Sequence, residues 1–195
     1  MTGVQTCALP IYFYSSQLAQ LLERGINCPL TTSLGRHFDA AAGLLGIKPV
    51  QRFEGQAAML LEGLAEQHGP ADPLPNGWRI DPDQTLNLRP LLAWLADLAL
   101  STPRTGVTPN AHQPHAAVFH ATLAAALADW IQPIAKATGI RHLVFSGGCV
   151  LNQVLITDLE RRLTAAGYHV RFPRLAPAND GGLSLGQAWI AMNAR

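Results

Sequence analysis

Cysteine is scarce in this 195-residue chain: Cys7, Cys28 and Cys149 are widely spaced and form no CxxC pair. Neither a disulfide framework nor a zinc knuckle is implied, and a reducing cytoplasm fits best. Net charge is nearly absent as well, because 14 Lys and Arg face 13 Asp and Glu for a formal +1. Such a balance gives no broad footprint for nucleic acid or an anionic membrane, so any bound polyanion is small. No apolar run is long enough to span a bilayer, and the first residues lack the basic region of a secretory signal. The expectation is a soluble, cytoplasmic protein. Internal repeats and low-complexity tracts are missing too, as are the Gly-Lys-Ser/Thr end of a P-loop and the GxGxxG of a dinucleotide fold.

What the chain does have is 48% hydrophobic residues, enough to bury the core of one ordinary domain with a looser appendage. Gly3–Ile11, GVQTCALPI, reads as a translated sequencing-library adapter rather than protein code. Residues 1–11 are therefore expected to be an artefact and residues 12–195 the protein proper, cut from a longer reading frame.

Leu18, Leu21 and Leu22 have helical spacing, and Gly25 follows a basic last turn as a C-cap would. Ser33 is the expected cap of a second helix that turns Phe38, Ala41, Ala42 and Leu45 inward and ends at Gly46. A third, over 54–67, presents Ala57, Leu60, Leu61 and Leu64. The proline-rich stretch 70–88 reads as a connector or small hairpin, RPLLAWLADLAL as a helix, and STPRTGVTPNAHQP as a mobile loop. A long helix from near His115 carries Phe119, Leu123, Leu127, Trp130 and Ile134 on one face, with Pro133 expected to kink it or end it early. The remainder alternates: strand 142–145, helix 150–166, strand 168–172, and a helix from 182 to 193. A βαβ unit followed by a helix argues for an α/β layer with parallel strands.

Three stretches could carry chemistry. In FSGGCVLNQ a strand ends in Gly147-Gly148 and feeds a helix, so backbone N–H groups face outward where a phosphate could sit; the alternative is a plain tight turn. Asn152 could hold a phosphate or ribose oxygen, or be a solvated helix position. In PANDGGLSLGQA, Asp180 follows a strand and opens a helix. It is either an N-cap or a metal-holding carboxylate, and the ends of two parallel strands would put both loops on one crevice. In TTSLGRHFDA, three hydroxyls and Gly35 open a helix on which Arg36 and Asp39 are spaced for an ion pair; Glu54 is read as support for a helix start. His112, His115 and His120 invite a metal assignment but lack the i, i+4 spacing of a helical ligand pair. Cys149 could be a nucleophile at a helix start, although a packing role is favoured.

Taken in order, TTSLGRHFDAAAGLLGI, FEGQAAMLLEGLA, VFHATLAAAL, FSGGCVLNQVL and PANDGGLSLGQA resemble the C-terminal end of the HypF family, the carbamoyltransferases of nickel-iron hydrogenase maturation. The similarity runs from about Tyr14 to Arg195. It implies an α/β fold, the second lobe of an actin-like ATPase (ribonuclease-H-like) domain of Kae1 type, with several flanking helices. It also implies a reaction. Carbamoyl phosphate and ATP give carbamoyl adenylate in an upstream YrdC-like domain, and the carbamoyl group then passes to the C-terminal cysteine of HypE.

By motif, Ser146, Gly147, Gly148 and Asn152 would contact the nucleotide, with Gly35, Asp39 and Gly46 near its ribose or base. Asp180 would complete a divalent metal site, zinc or iron, whose two histidines belong to an HxxxH motif in a first lobe outside this chain. The expected partners are HypE and the missing N-terminal domains of the same polypeptide. Cys149 departs from the Val or Ala common in the family, Pro133 is unusual within a helix, and no residue is an evident general base. Two other readings stand beside this one. The tRNA threonylcarbamoyltransferases share the fold but would have Gly-Glu at Gly35-Arg36 and Asp-Asn-Gly-Ala at Asp180-Gly181-Gly182; a truncated, non-catalytic nucleotide-binding lobe is the third possibility.

Overall fold

The computed structural model describes residues 15–26, 28–29, 31–48, 50–101 and 109–194. The adapter-like segment lies outside the described residues, and so do residues 102–108 of the expected mobile loop. Among the described residues, α1 is Ser15–Glu23, α2 Gly35–Leu44 and α3 Gln56–His68. A short antiparallel hairpin, β1 (Arg79–Ile80) and β2 (Leu86–Asn87), leads into α4 (Arg89–Ser101). A 3-10 turn at Pro109–His112 then opens α5 (Gln113–Thr138), the longest helix. After it come β3 (His142–Val144), α6 (Gln153–Ala165), β4 (His169–Arg171) and α7 (Leu183–Asn193).

The core is built around α5. Ala116, Ala117, Phe119, His120, Ala121, Thr122, Leu123, Ala124, Ala125, Ala126 and Ala128 are all buried, so residues 116–128 of this helix are enclosed on every side rather than along the single stripe its sequence suggested, while its last turns are largely exposed. Its alanines let α3 and α6 pack close on either flank. Leu61 and Ala65 of α3 and Leu155, Leu159 and Leu163 of α6 fill the space between them. Phe38 of α2 stands edge-on to Phe119, with ring centroids 5.3 Å apart, and joins that helix to the same core. The connector before the hairpin and the hairpin itself are each tied to α5 by a hydrogen bond: Thr122 Oγ1 accepts from Leu74 N at 2.8 Å, and Trp130 Nε1 donates to Gln84 O at 2.7 Å.

Several expectations need correction. Pro133 does not end α5, which runs five residues further to the Gly139 cap. Pro133 and Asp129, whose carbonyl loses its helical partner, are both exposed, so water can take that carbonyl. Ile134 is exposed as well, while Leu60 of α3 faces out and Ala65 takes the inward place. Ser33 offers its backbone carbonyl, not its hydroxyl, to Arg36 N. The helix expected from Glu54 starts at Gln56, where Gln51 Oε1 accepts from Ala57 N at 3.2 Å.

The expected βαβ unit is present. β3 and β4 pair in parallel, His142 opposite His169, Leu143 opposite Val170 and Val144 opposite Arg171, with α6 as the crossover. Packing of α6 on α5 therefore places the C-terminal ends of both strands, and the loops that leave them, beside the start of α6.

Candidate functional site

At the end of β3 the chain turns sharply. Gly147 has φ +101° and ψ 168°, a conformation that side chains rarely adopt, so glycine is required there by the backbone. Its N–H donates to the carbonyl of Ala178 at 2.7 Å, and Ser146 Oγ donates to the same oxygen at 3.1 Å. One carbonyl on the loop after β4 thus fastens the loop after β3. The adjacency expected of two parallel strand ends is realised by a backbone acceptor that sequence does not reveal.

Gly148 is different. Its φ lies outside the left-handed region, and an added Cβ would meet nothing within 4 Å. Neither backbone nor packing calls for glycine at this position, so its surface lies open to a ligand. From Gly148 to Leu151 the chain forms a 3-10 turn in which Val150 N bonds Gly147 O and Asn152 N bonds Cys149 O. The N–H groups of Gly148 and Cys149 have no acceptor among the described residues. Two unpaired amides beside open space can receive anionic oxygens.

The start of α2 packs against this turn. A Cβ on Gly35 would lie 3.9 Å from Cys149 Sγ, so α2 begins directly against the turn. Asp39, one turn on, accepts from Arg36 Nη1 at 3.3 Å and from Gln51 Nε2 at 3.0 Å. Gln51 holds that carboxylate with one end of its amide and caps α3 with the other. Burial, and then the Asp39 charge, push the Cys149 thiol up from its usual range. A thiolate is disfavoured, which agrees with packing rather than nucleophilic attack. Gly46 lies past the far end of α2, about 16 Å from Gly35 at helical rise; the structure does not bring it to the turn.

Asn152 is not a solvated helix position: it is 7% exposed. Its backbone is extended (φ −75°, ψ 106°), and that break separates the 3-10 turn from α6, so Gly147-Gly148 does not itself open the α-helix. Asn152 Oδ1 instead caps α6, accepting from Leu155 N at 2.9 Å, while Nδ2 lies 3.1 Å from Nε2 of His120. The next amide, Gln153 N, donates to Glu62 Oε1 of α3 at 2.6 Å. Sequence periodicity could not expose the role of Glu62, since its partner lies 91 residues away.

Asp180 is exposed at the start of a 3-10 turn over Asp180–Gly182. The cap is its neighbour Asn179, whose Oδ1 accepts from Gly181 N at 3.1 Å, which corrects the capping assignment. A Cβ on Gly182 would sit 2.5 Å from Pro177 O, so close approach requires glycine there. The Asp180 carboxylate makes no hydrogen bond or ion pair among the described residues, and it projects from the loop that Ala178 fastens to the Ser146 turn. That suits a single ligand to a divalent cation, while no group of three His, Cys, Asp or Glu able to hold a metal occurs among the described residues. His112 and His115 stand with ring centroids 6.2 Å apart, and burial lowers both below the usual histidine range. No described helix is long and apolar enough to cross a membrane.

Comparison with known proteins agrees with this architecture. Residues 5–187 match the family described as carbamoyltransferase, Kae1-like domain, second subdomain. Carbamoyltransferase HypF2 of Cupriavidus necator is 44% identical over 199 residues, covering 89% of this chain and 23% of the relative. Carbamoyltransferase HypF of Rhizobium leguminosarum bv. viciae is 42% identical, covering 88% and 21%. Among solved structures, full-length HypF in a phosphate- and nucleotide-bound form superposes with a TM-score of 0.72 at 32% identity, covering 93% of this chain and 24% of that one. The chain thus spans under a quarter of the length of these relatives.

Proposed function

Because this chain belongs to the HypF carbamoyltransferase family as a second Kae1-like subdomain, we propose that it forms one wall of the nucleotide crevice of a carbamoyl-transferring enzyme. In the full-length polypeptide, carbamoyl adenylate made from carbamoyl phosphate and ATP delivers its carbamoyl group to the C-terminal cysteine of HypE. The product is a thiocarbamate that serves nickel-iron hydrogenase maturation. Sulfur bonds to the carbamoyl carbon as the carbon–oxygen bond to AMP breaks, and AMP leaves with the electron pair while the thiol proton passes to solvent.

The observation that carries this reading is the Ser146–Cys149 turn. It offers open space over Gly148, two free amides, and attachment through Ala178 to the loop bearing Asp180. Negative charge grows on the phosphate of the departing AMP, and fixed N–H donors at Gly148 and Cys149 stabilise it without reorganising. Gly35 and Asp39 close the near side of the same crevice. The relative solved in a phosphate- and nucleotide-bound form supports a ligand of this class. A divalent metal, when bound, would supply Lewis-acid stabilisation of an anionic oxygen; of this chain's residues, Asp180 would hold it.

The test is carbamoylation of HypE by the full-length polypeptide carrying this chain, read by mass spectrometry of the HypE C-terminal peptide. Gly148→Val should abolish the added carbamoyl group while the protein remains folded. Near-normal transfer by that variant would refute the turn as the phosphate cradle.

A further inference from the structure

The buried face of the same turn holds a polar pair that the proposed chemistry does not use. His120, on the central helix α5, is 1% exposed, and rings of Phe38 and Phe119 pack edge-on to it with centroids 5.6 and 5.5 Å away. Its Nδ1 lies 2.7 Å from Ala116 O, and its Nε2 lies 3.1 Å from Asn152 Nδ2. A carbonyl can only accept, so Nδ1 carries the hydrogen. In a neutral ring Nε2 is then an acceptor, which obliges Asn152 to present its NH2 to His120 and its oxygen to Leu155 N. Ring neutrality follows from burial, which lowers the His120 pKa to about 4.

We infer that His120 is a positioning residue for the nucleotide turn: it fixes the Asn152 amide in the orientation that caps α6 and anchors the 3-10 turn over Gly148–Leu151. Asn152 accordingly acts from behind the turn, with both ends of its amide bound to protein, rather than on the ligand. Without the His120 acceptor the Asn152 NH2 would be a buried, unpaired donor, and the amide would gain by rotating away from Leu155. The segment carrying the Gly148 and Cys149 amides would lose its fixed C-terminal end. This inference rests on the reading of that turn as the phosphate cradle for its functional meaning, but its geometry can be tested alone.

Hydrogen exchange followed by NMR on the 195-residue chain separates the two. In His120→Leu, which removes the acceptor, exchange at the Leu155 amide should accelerate at least about tenfold, the equivalent of roughly 1.4 kcal/mol, with amides of α3 and α4 unchanged. His120→Gln, whose side-chain oxygen can replace Nε2, should stay within about threefold of the parent. Nitrogen-15 shifts of the unsubstituted chain should show Nδ1 protonated and Nε2 bare. A protonated Nε2, an unchanged Leu155 amide, a loss of protection spread evenly over α3 and α4, or a Gln variant as loose as the Leu variant would each overturn the inference. Magnesium-ATP added to the same samples tests the functional reading separately, because failure to shift the Gly148 and Cys149 amides of the unsubstituted chain counts against the cradle and leaves the exchange result standing.

Discussion

Acid should weaken this fold through one histidine. In the unfolded chain His120 takes up a proton near pH 6.5, whereas in the folded protein burial holds its pKa to about 4. Above pH 6.5 the ring is neutral in both states, so its contribution is complete. As pH falls from there toward 4 the unfolded state gains a proton that the folded state refuses, and stability drops. At about 1.4 kcal/mol for each pH unit in that window, the loss reaches about 3 kcal/mol, a large share of the stability of a domain this size. Urea denaturation at pH 7, 6, 5 and 4.5 measures it, with His120→Gln as the comparison. His112 and His115, also lowered by burial, act in the same direction but are common to both proteins and cancel. Parent and variant should be nearly equal at pH 7, and as pH falls the parent should become the less stable of the two, by an amount approaching that loss. Parallel curves, or a measured His120 pKa near 6.5, would refute the buried neutral ring.

Gly148→Val should leave urea stability within about 0.5 kcal/mol, because the added side chain meets no neighbour, while nucleotide affinity measured by calorimetry on the full-length polypeptide falls at least about tenfold. Asp180→Asn should likewise be neutral for stability yet remove bound metal from that polypeptide; retained metal content would end the ligand role. Asn179→Ala, by contrast, should cost about 1 kcal/mol of urea stability, since Asn179 is the capping side chain. The isolated chain should elute from a sizing column above its 20.9 kDa, because Leu185, Trp189, Ile190 and Met192 on α7 are each more than half exposed. A monodisperse monomer would contradict this.

The α/β character, the hairpin and most helices were legible because they rest on local periodicity and turn residues, as in β3–α6–β4 and in the inward Phe38, Ala41 and Ala42 of α2. Enclosure of α5 was not, because a helix rich in alanine looks the same whether one side or every side is covered. Survival of α5 past Pro133 depended on exposure, a tertiary property. At the site, proximity of the two glycine loops followed from their places at parallel strand ends. The means did not: the backbone carbonyl of Ala178 and the carboxylate of Glu62 act on residues 32 and 91 positions away, the Gln51 amide joins α2 to α3, and none of these groups stands out in isolation. For Asn152 the sequence offered a ligand contact or a solvated helix position but not the buried cap it forms, because nothing local distinguishes an inward cap from an outward one.

Glu62 has a bearing on selectivity. The positive end of a helix dipole attracts any small anion, and here α6 meets a protein carboxylate at that end, in direct hydrogen bond with Gln153 N. Its charge is answered before a ligand arrives. A free phosphate or sulfate ion would therefore find little generic attraction from α6 and would have to rely on the Gly148 and Cys149 amides. On the reading of this turn as a phosphate cradle, a nucleotide that also reaches the start of α2 would gain contacts that a lone anion lacks, and the site would screen by size as well as by charge.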